Sequence, residues 1–301
     1  MSDIPKEVTV AAAQFSPVLF DKGATIQKAA GIIRDAADRG ASLVVFPESF
    51  IPCYPRALSF GMTFGGNSGK GRGDYKRYFD NAVNILEDLA PLQNAAKKNK
   101  IFVSVGVTER DGGTLYCANV IISDSGEILS RYRKIKPTAL ERCLWGEGNA
   151  APRAVETPFG KAGALICWEN YMPLARLSLY SQDISIYLAP NADGRREFQA
   201  TLRHIAQEGR VFVIACNQFV TKADYPRDLE RYADLETAIE EISPGGSCVI
   251  GPSGKYIAPP VYRKEELIVC KLPLHKLPSA RLDFDPCGHY SRPDLFEFKV
   301  K

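Results

Sequence analysis

The stretch Leu43-Val44-Val45-Phe46-Pro47-Glu48-Ser49-Phe50 decides how the rest of the chain is read. From Ser42 to Phe46 it is short, continuously apolar and β-branched, the composition of a strand covered on both faces, and a carboxylate follows where Pro47 ends the run. Upstream, Ala24 to Arg39 sets Ile26, Ala29, Ala30, Ile33, Ala36 and Ala37 on one helical stripe that Gly40 terminates, and Val8 to Ala13 is apolar and β-rich. The opening is therefore strand, helix, strand.

Downstream, Pro47 to Gly73 has no periodicity and carries Gly65, Gly66, Gly69, Gly71 and Gly73, so it reads as a long loop, a feature usually tied to function in a compact domain. Helical spacing resumes over Asp74 to Glu87 and Ala90 to Lys100, with Pro91 acceptable in a first turn. Strands are expected at Ile101 to Glu109, Thr114 to Ser123 and Gly126 to Tyr132, joined by turns at Gly112-Gly113 and Asp124-Ser125-Gly126. The second half repeats the pattern: strand Ala162 to Cys167, helix Pro173 to Tyr180, strand Ile184 to Ala189, helix Arg196 to Glu208, strand Val211 to Asn217, then a strand pair about Pro252-Ser253-Gly254. The expectation is an α/β fold, a four-layer αββα sandwich of two similar sheet-plus-helix halves, in a single domain spanning 1–301.

Composition removes several classes of function. With 45% hydrophobic and 24% charged residues the chain falls among globular enzymes, and no window approaches the roughly 18 apolar residues of a membrane helix. The amino end lacks the order of a secretion signal, which implies a cytoplasmic protein. The 38 basic and 35 acidic residues are scattered, so no nucleic-acid partner is expected. The densest basic run, Arg131, Arg133, Lys134 and Lys136, reads by composition as a strand end on a solvated face. Eight cysteines stand singly with no CxxC pair, which suggests neither a zinc site nor a disulfide framework.

Chemistry enters where strands end. LVVFPESF places Glu48 after one strand, YRKIKPT places Lys134 at another, and ALICWENYMP places Cys167 at a third. Sites in α/β sheets gather beyond the carboxyl ends of strands. Taken singly, a solvated carboxylate, a surface cation and a buried thiol explain the three. Together they are the base, cation and nucleophile needed to attack an electrophilic carbon whose nitrogen accumulates charge.

These motifs resemble the nitrilase superfamily of carbon-nitrogen hydrolases: FPESF around Glu48, RKIKPT around Lys134 and CWENYMPLAR around Cys167, with VAAAQFSPV, LAPNAD, RHIAQEGRVFV and GHYSRPDLF extending the likeness over nearly the whole chain. The resemblance implies Glu48 as general base, Lys134 as stabilising cation, Cys167 as nucleophile and Glu141, in PTALERCLW, as an acid that positions them. Lys134 is preferred to Lys136 because the family pattern puts its lysine three residues before Pro137. The backbone N–H of Trp168 is a second donor to the developing charge. Tyr54, Trp145 and Asn191 are candidate pocket residues, and neither a metal nor an organic cofactor is implied.

Trp168-Glu169 and LERCLWGEG resemble nitrile-hydrolysing members more than amide-hydrolysing ones, with cyanide-converting relatives also sharing them. The partners expected are a small nitrile or amide and further copies of the chain. Because the sequence stops soon after GHYSRPDLF, where longer members carry a tail associated with spiral assembly, a dimer or small oligomer is implied over long filaments. Two rivals stand beside this reading: a papain-like thiol protease, for which none of His204, His275 and His289 has a recognisable setting, and a non-catalytic binding protein on the same fold.

Overall fold

The structure is a computed structural model describing residues 4–67, 69–236 and 238–301. Strand β1 (Val8–Gln14) leads into helix α1 (Lys22–Asp38), which starts where the Asp21 carboxylate accepts the Ala24 N–H at 2.9 Å. Then come β2 (Leu43–Val45), the small hairpin β3 (Met62–Thr63) and β4 (Gly66–Asn67), helices α2 (Arg72–Asp80), α3 (Ile85–Asp88) and α4 (Ala90–Asn99), and strands β5 (Phe102–Asp111), β6 (Thr114–Ile122) and β7 (Ile128–Arg133). The second half holds β8 (Lys161–Ala164), α5 (Pro173–Tyr180), β9 (Ile184–Pro190), α6 (Phe198–Gly209), β10 (Phe212–Cys216), β11 (Phe219–Val220), β12 (Ser243–Ile250), β13 (Tyr256–Tyr262), β14 (Glu266–Leu272) and α7 (Leu277–Asp283).

One sheet runs β14-β1-β2-β5-β6-β7 and the other β11-β12-β10-β9-β8, with β13 paired to β12. Alternation along the strands sorts their side chains. Val44, Val103 and Val105 meet Ala29, Ile33, Leu92 and Ala96 of α1 and α4, whereas Leu43 and Val45 share an inter-sheet core with Ile186, Leu188, Phe212 and Ile214. On the far face of the second sheet, Leu179, Leu202 and Ile205 of α5 and α6 pack on Tyr187, Val213 and Ala215. The order is helix, sheet, sheet, helix, as expected. Among the described residues no helix is long and apolar enough to cross a membrane.

Three local expectations need correction. Asp74 to Glu87 is not one helix, because the chain leaves it to pair with β5: the Val83 N–H donates to the Thr108 carbonyl and the Arg110 N–H to the Val83 carbonyl, both at 2.8 Å, and Asn84 then caps α3. Lys134 is no solvated strand-end residue, since its side chain is completely buried, while Lys136 is half exposed and paired with Glu147. Strand β8 stops at Ala164, so Cys167 belongs to the turn beyond it.

β1, β2 and β5 run parallel, and β7, antiparallel to β6, points the same way as β5. Glu48 and Lys134 therefore leave the first sheet along one edge. The turn carrying Glu48 lies directly on β5 at Gly106, where a Cβ would stand 2.1 Å from the Pro47 carbonyl oxygen and 2.8 Å from the Glu48 Cα. Gly106→Ala is expected to cost about 1–3 kcal/mol by overpacking and to reduce turnover in the fraction that remains folded. Denaturant unfolding with activity per folded molecule checks this; full specific activity at wild-type stability would contradict it.

Candidate active site

Glu48 follows β2 in a turn held from behind. Its carbonyl accepts from Gln218 Nε2 at 2.9 Å, and its neighbour Ser49, at φ +45°, bonds the Cys53 carbonyl at 2.9 Å and Thr108 Oγ1 at 2.7 Å. Tyr78 completes that wall through the same two groups. Lys134 directly follows β7, anchored by its own N–H on the Cys117 carbonyl at 2.8 Å. Its Nζ donates to Glu48 Oε1 at 2.6 Å and to Glu141 Oε2 at 2.7 Å. Glu141 is fixed in turn by the Thr138 N–H at 2.7 Å and the Tyr54 hydroxyl at 2.7 Å.

Cys167 stands at φ +51°, a left-handed conformation that a side chain adopts at a cost of about 1 kcal/mol. Two buried residues just beyond hold the turn. Asn170 Nδ2 donates to the Cys167 carbonyl at 2.6 Å while its Oδ1 accepts the Tyr187 hydroxyl at 2.7 Å. Glu169 accepts the Ile166 N–H at 2.7 Å on Oε2, and on Oε1 the Ile135 N–H at 2.6 Å and the Tyr132 hydroxyl at 2.8 Å. One carboxylate thus ties the lysine-bearing strand end to the cysteine-bearing turn across two sheets.

The electrostatics follow from burial. Desolvation raises the Cys167 thiol well above its ordinary range, Glu48 and Glu141 add to that, and Lys134 and the Ala192 N–H oppose it without prevailing. The resting group is a thiol. Glu48 is raised by burial against the pull of Lys134, and Cys167 lies near enough to make it more acidic without closing a hydrogen bond, leaving Glu48 Oε2 buried and unpartnered. Burial alone would lower Lys134, but Glu48 and the groups around it hold it well above its usual value, so it stays an ammonium.

The three groups expected from the sequence therefore come together, and Glu141 joins them. Tyr54 and Trp145 meet edge to face at 5.7 Å and line a cavity of about 350 Å³ that reaches Glu141 and is walled also by Arg56, Leu58, Met62 and Leu144. A larger cavity of about 590 Å³ lies beside β7 at Arg131, Arg133 and Arg153 and touches none of the four groups. Asn191 turns its amide onto its own loop, bonding the Asp193 backbone at 2.9 Å in both directions. The Trp168 indole leaves for the surface, donating to Asp193 at 2.9 Å beneath Arg195. Among the described residues no group of three or more His, Cys, Asp or Glu could hold a metal ion.

Sequence reasoning missed Glu169 and Asn170 as clamps, although a carboxylate and an amide three and four residues past the apolar Ile166 were a visible signal. It also passed over Cys117, whose thiol donates to Glu48 Oε1 at 3.5 Å from a strand position with nothing to mark it.

The carbon-nitrogen hydrolase family profile matches residues 9–282. The chain is 43% identical over 299 residues to a bifunctional nitrilase/nitrile hydratase of Lupinus angustifolius, covering 96% of this chain and 84% of that protein. It is 40% identical over 293 residues to an aliphatic nitrilase of Sinorhizobium fredii, covering 96% and 94%. A carbon-nitrogen hydrolase from Helicobacter pylori shares the fold at a TM-score of 0.75 and 21% identity, covering 96% of each chain.

Burial lifts Glu169 from 4.5 to about 7 against the pull of its three donors. Because the unfolded chain ionises first, the stability linked to this group is complete below about pH 4.5 and lost as the pH rises to about 7. Glu169→Gln is expected to destabilise by about 1–3 kcal/mol by mismatching a buried donor and to remove that slope. Parallel stability–pH curves for variant and wild type would refute it.

Proposed function

We infer that this chain, which belongs to the carbon-nitrogen hydrolase family and to its nitrilase branch, hydrolyses a nitrile to the carboxylic acid and ammonia with Cys167 as nucleophile, Glu48 as base and Lys134 as stabilising cation. The observation that carries the roles is a fully buried ammonium 2.6 Å from one carboxylate and 2.7 Å from a second, beside a thiol that burial keeps protonated. We take 1–301 as one carbon-nitrogen hydrolase domain, a reading supported by the family match over 9–282.

The Cys167 sulfur attacks the nitrile carbon as its proton passes to Glu48, whose free Oε2 suits that transfer. One C–N bond order breaks, and the proton that Glu48 received passes to the nitrogen beside Lys134, giving a thioimidate and freeing Glu48 as a base. Water, deprotonated by Glu48, adds to the same carbon. Collapse with a further proton on nitrogen expels ammonia and leaves a thioester, which a second water cleaves to the acid, returning the proton to sulfur. Glu141 keeps Lys134 in place, and Tyr54 keeps Glu141. Collapse that expels the thiolate instead would release the amide; the name of the lupin relative favours measuring amide alongside ammonia.

We also take the active form to be a cytoplasmic homodimer or small homo-oligomer. Exposed Tyr171 and Leu174 beside the nucleophile's turn offer apolar contact surface, and eight free thiols suit a reducing compartment.

Ammonia release from a panel of nitriles and matched amides tests the reaction: turnover of nitriles is expected, and activity on amides alone would overturn the nitrile reading. Cys167→Ala should abolish turnover with the fold retained, and more than trace activity would sink the nucleophile's assignment. Lys134→Ala should lose roughly 100-fold or more in turnover, the scale of one preorganised donor. Lys136→Ala, at an exposed pair with Glu147, should keep most of it; the reverse result would mean that the wrong lysine has been chosen.

A further inference from the structure

Arg56 is a charge for which the mechanism has no use. Its guanidinium lies over the Tyr54 ring at 5.1 Å on the wall of the 350 Å³ cavity, and one Nη donates to the Ala192 carbonyl. Among the described residues it forms no ion pair, and its Nε is buried without a hydrogen-bond partner. A guanidinium stays charged throughout the working pH range, and a buried N–H without an acceptor is costly to keep.

Its position gives this meaning. The Ala192 N–H faces the Cys167 thiol while the carbonyl of the same residue accepts from Arg56. On the other side, the Tyr54 ring under Arg56 carries the hydroxyl that holds Glu141. One residue thus separates the guanidinium from the nucleophile, which keeps sulfur and guanidinium within about 10 Å. A substrate spanning that gap needs a nitrile carbon in van der Waals contact with sulfur and an oxyanion at hydrogen-bond distance from Arg56, with two or three methylenes between. Leu58, Met62 and Leu144 are apolar walls of the cavity that Arg56 and Glu141 also line.

We propose that Arg56 is a specificity-determining residue that binds a carboxylate carried by the substrate, so that short cyano-acids, with two or three methylenes between nitrile and carboxylate, are preferred to neutral nitriles. This rests on the nitrilase reading and goes beyond it to the substrate class. The rival explanation is that Arg56 offsets the excess negative charge of Glu48 and Glu141 over Lys134. Arg56 pairs with neither carboxylate, and its side chain instead lines the cavity without a counter-ion among the described residues, which favours a ligand.

The test compares kcat/KM for 3-cyanopropanoate and for pentanenitrile, a neutral chain of similar length, in wild type, Arg56→Gln and Arg56→Lys. Wild type is expected to favour the cyano-acid, and Arg56→Gln to lower the acid-to-neutral ratio roughly 30-fold, the scale of a charge-assisted hydrogen bond, mainly through KM. Arg56→Lys should recover part of it. An unchanged ratio, a wild-type preference for pentanenitrile, or a parallel fall on both substrates would overturn the proposal, the last in favour of charge compensation. If neither compound is turned over, the nitrile reading is judged separately by the panel of nitriles and amides. Calorimetric titration of Cys167→Ala protein with 3-cyanopropanoate then decides for Arg56: binding lost on adding Arg56→Gln sustains the carboxylate site, and no binding removes it.

Discussion

An ammonium with no exposure to water is the constraint on which this structure turns. Lys134 would be intolerable in the interior alone, and its bonds to Glu48 and Glu141 make the site permissible only as a set. The three segments that bring these groups must arrive in register, and the backbone shows the cost. Gly106 admits the Glu48 turn against β5, and at Gly148 a Cβ would sit 2.2 Å from the Arg133 carbonyl oxygen, just behind Lys134. Truncating either carboxylate would strand a charge rather than remove a contact.

The proposed nucleophile is held by different means. Cys167 sits in a left-handed turn on the second sheet, and Glu169 and Asn170, both buried, fix it through backbone groups rather than through charge. Since burial leaves the thiol protonated, attack and proton transfer have to be coupled, and the empty coordination of Glu48 Oε2 is where that coupling is possible. The rear wall of Ser49, Thr108 and Tyr78 is buried and hydrogen-bonded throughout, whereas the front wall, Tyr54 to Met62, belongs to the long loop that follows Glu48. The proposed chemistry is held from behind, and the proposed substrate contacts come from the loop.

Much of this was legible in the sequence for physical reasons. Strands covered on both faces announce themselves by continuous apolar runs, so β2, β5 and β9 were readable, and helices by their stripes. Glu48, Lys134 and Cys167 were visible as polar residues ending such runs. What local pattern could not show was pairing at a distance. Val83 leaves its helix because β5 offers it an edge, and Lys134 is buried although its neighbours Arg133 and Lys136 are not, which depends on two carboxylates 86 and 7 residues away. Cys117 and Arg56 act through partners on other strands and loops, as does Glu169 in its bonds to Tyr132 and Ile135, and no spacing along the chain encodes those.

Two thiols, Cys167 and Cys117, lie against Glu48, and the account requires that only the first forms a bond to substrate carbon. Acid-quenching the enzyme during nitrile turnover, followed by mass spectrometry of its peptides, examines that bond itself. The account predicts a transient adduct on the peptide containing Cys167, with the mass of the nitrile as a thioimidate or of its acyl group as a thioester, disappearing as substrate is exhausted. Turnover with Cys167 unmodified throughout, or an adduct confined to Cys117, would contradict it.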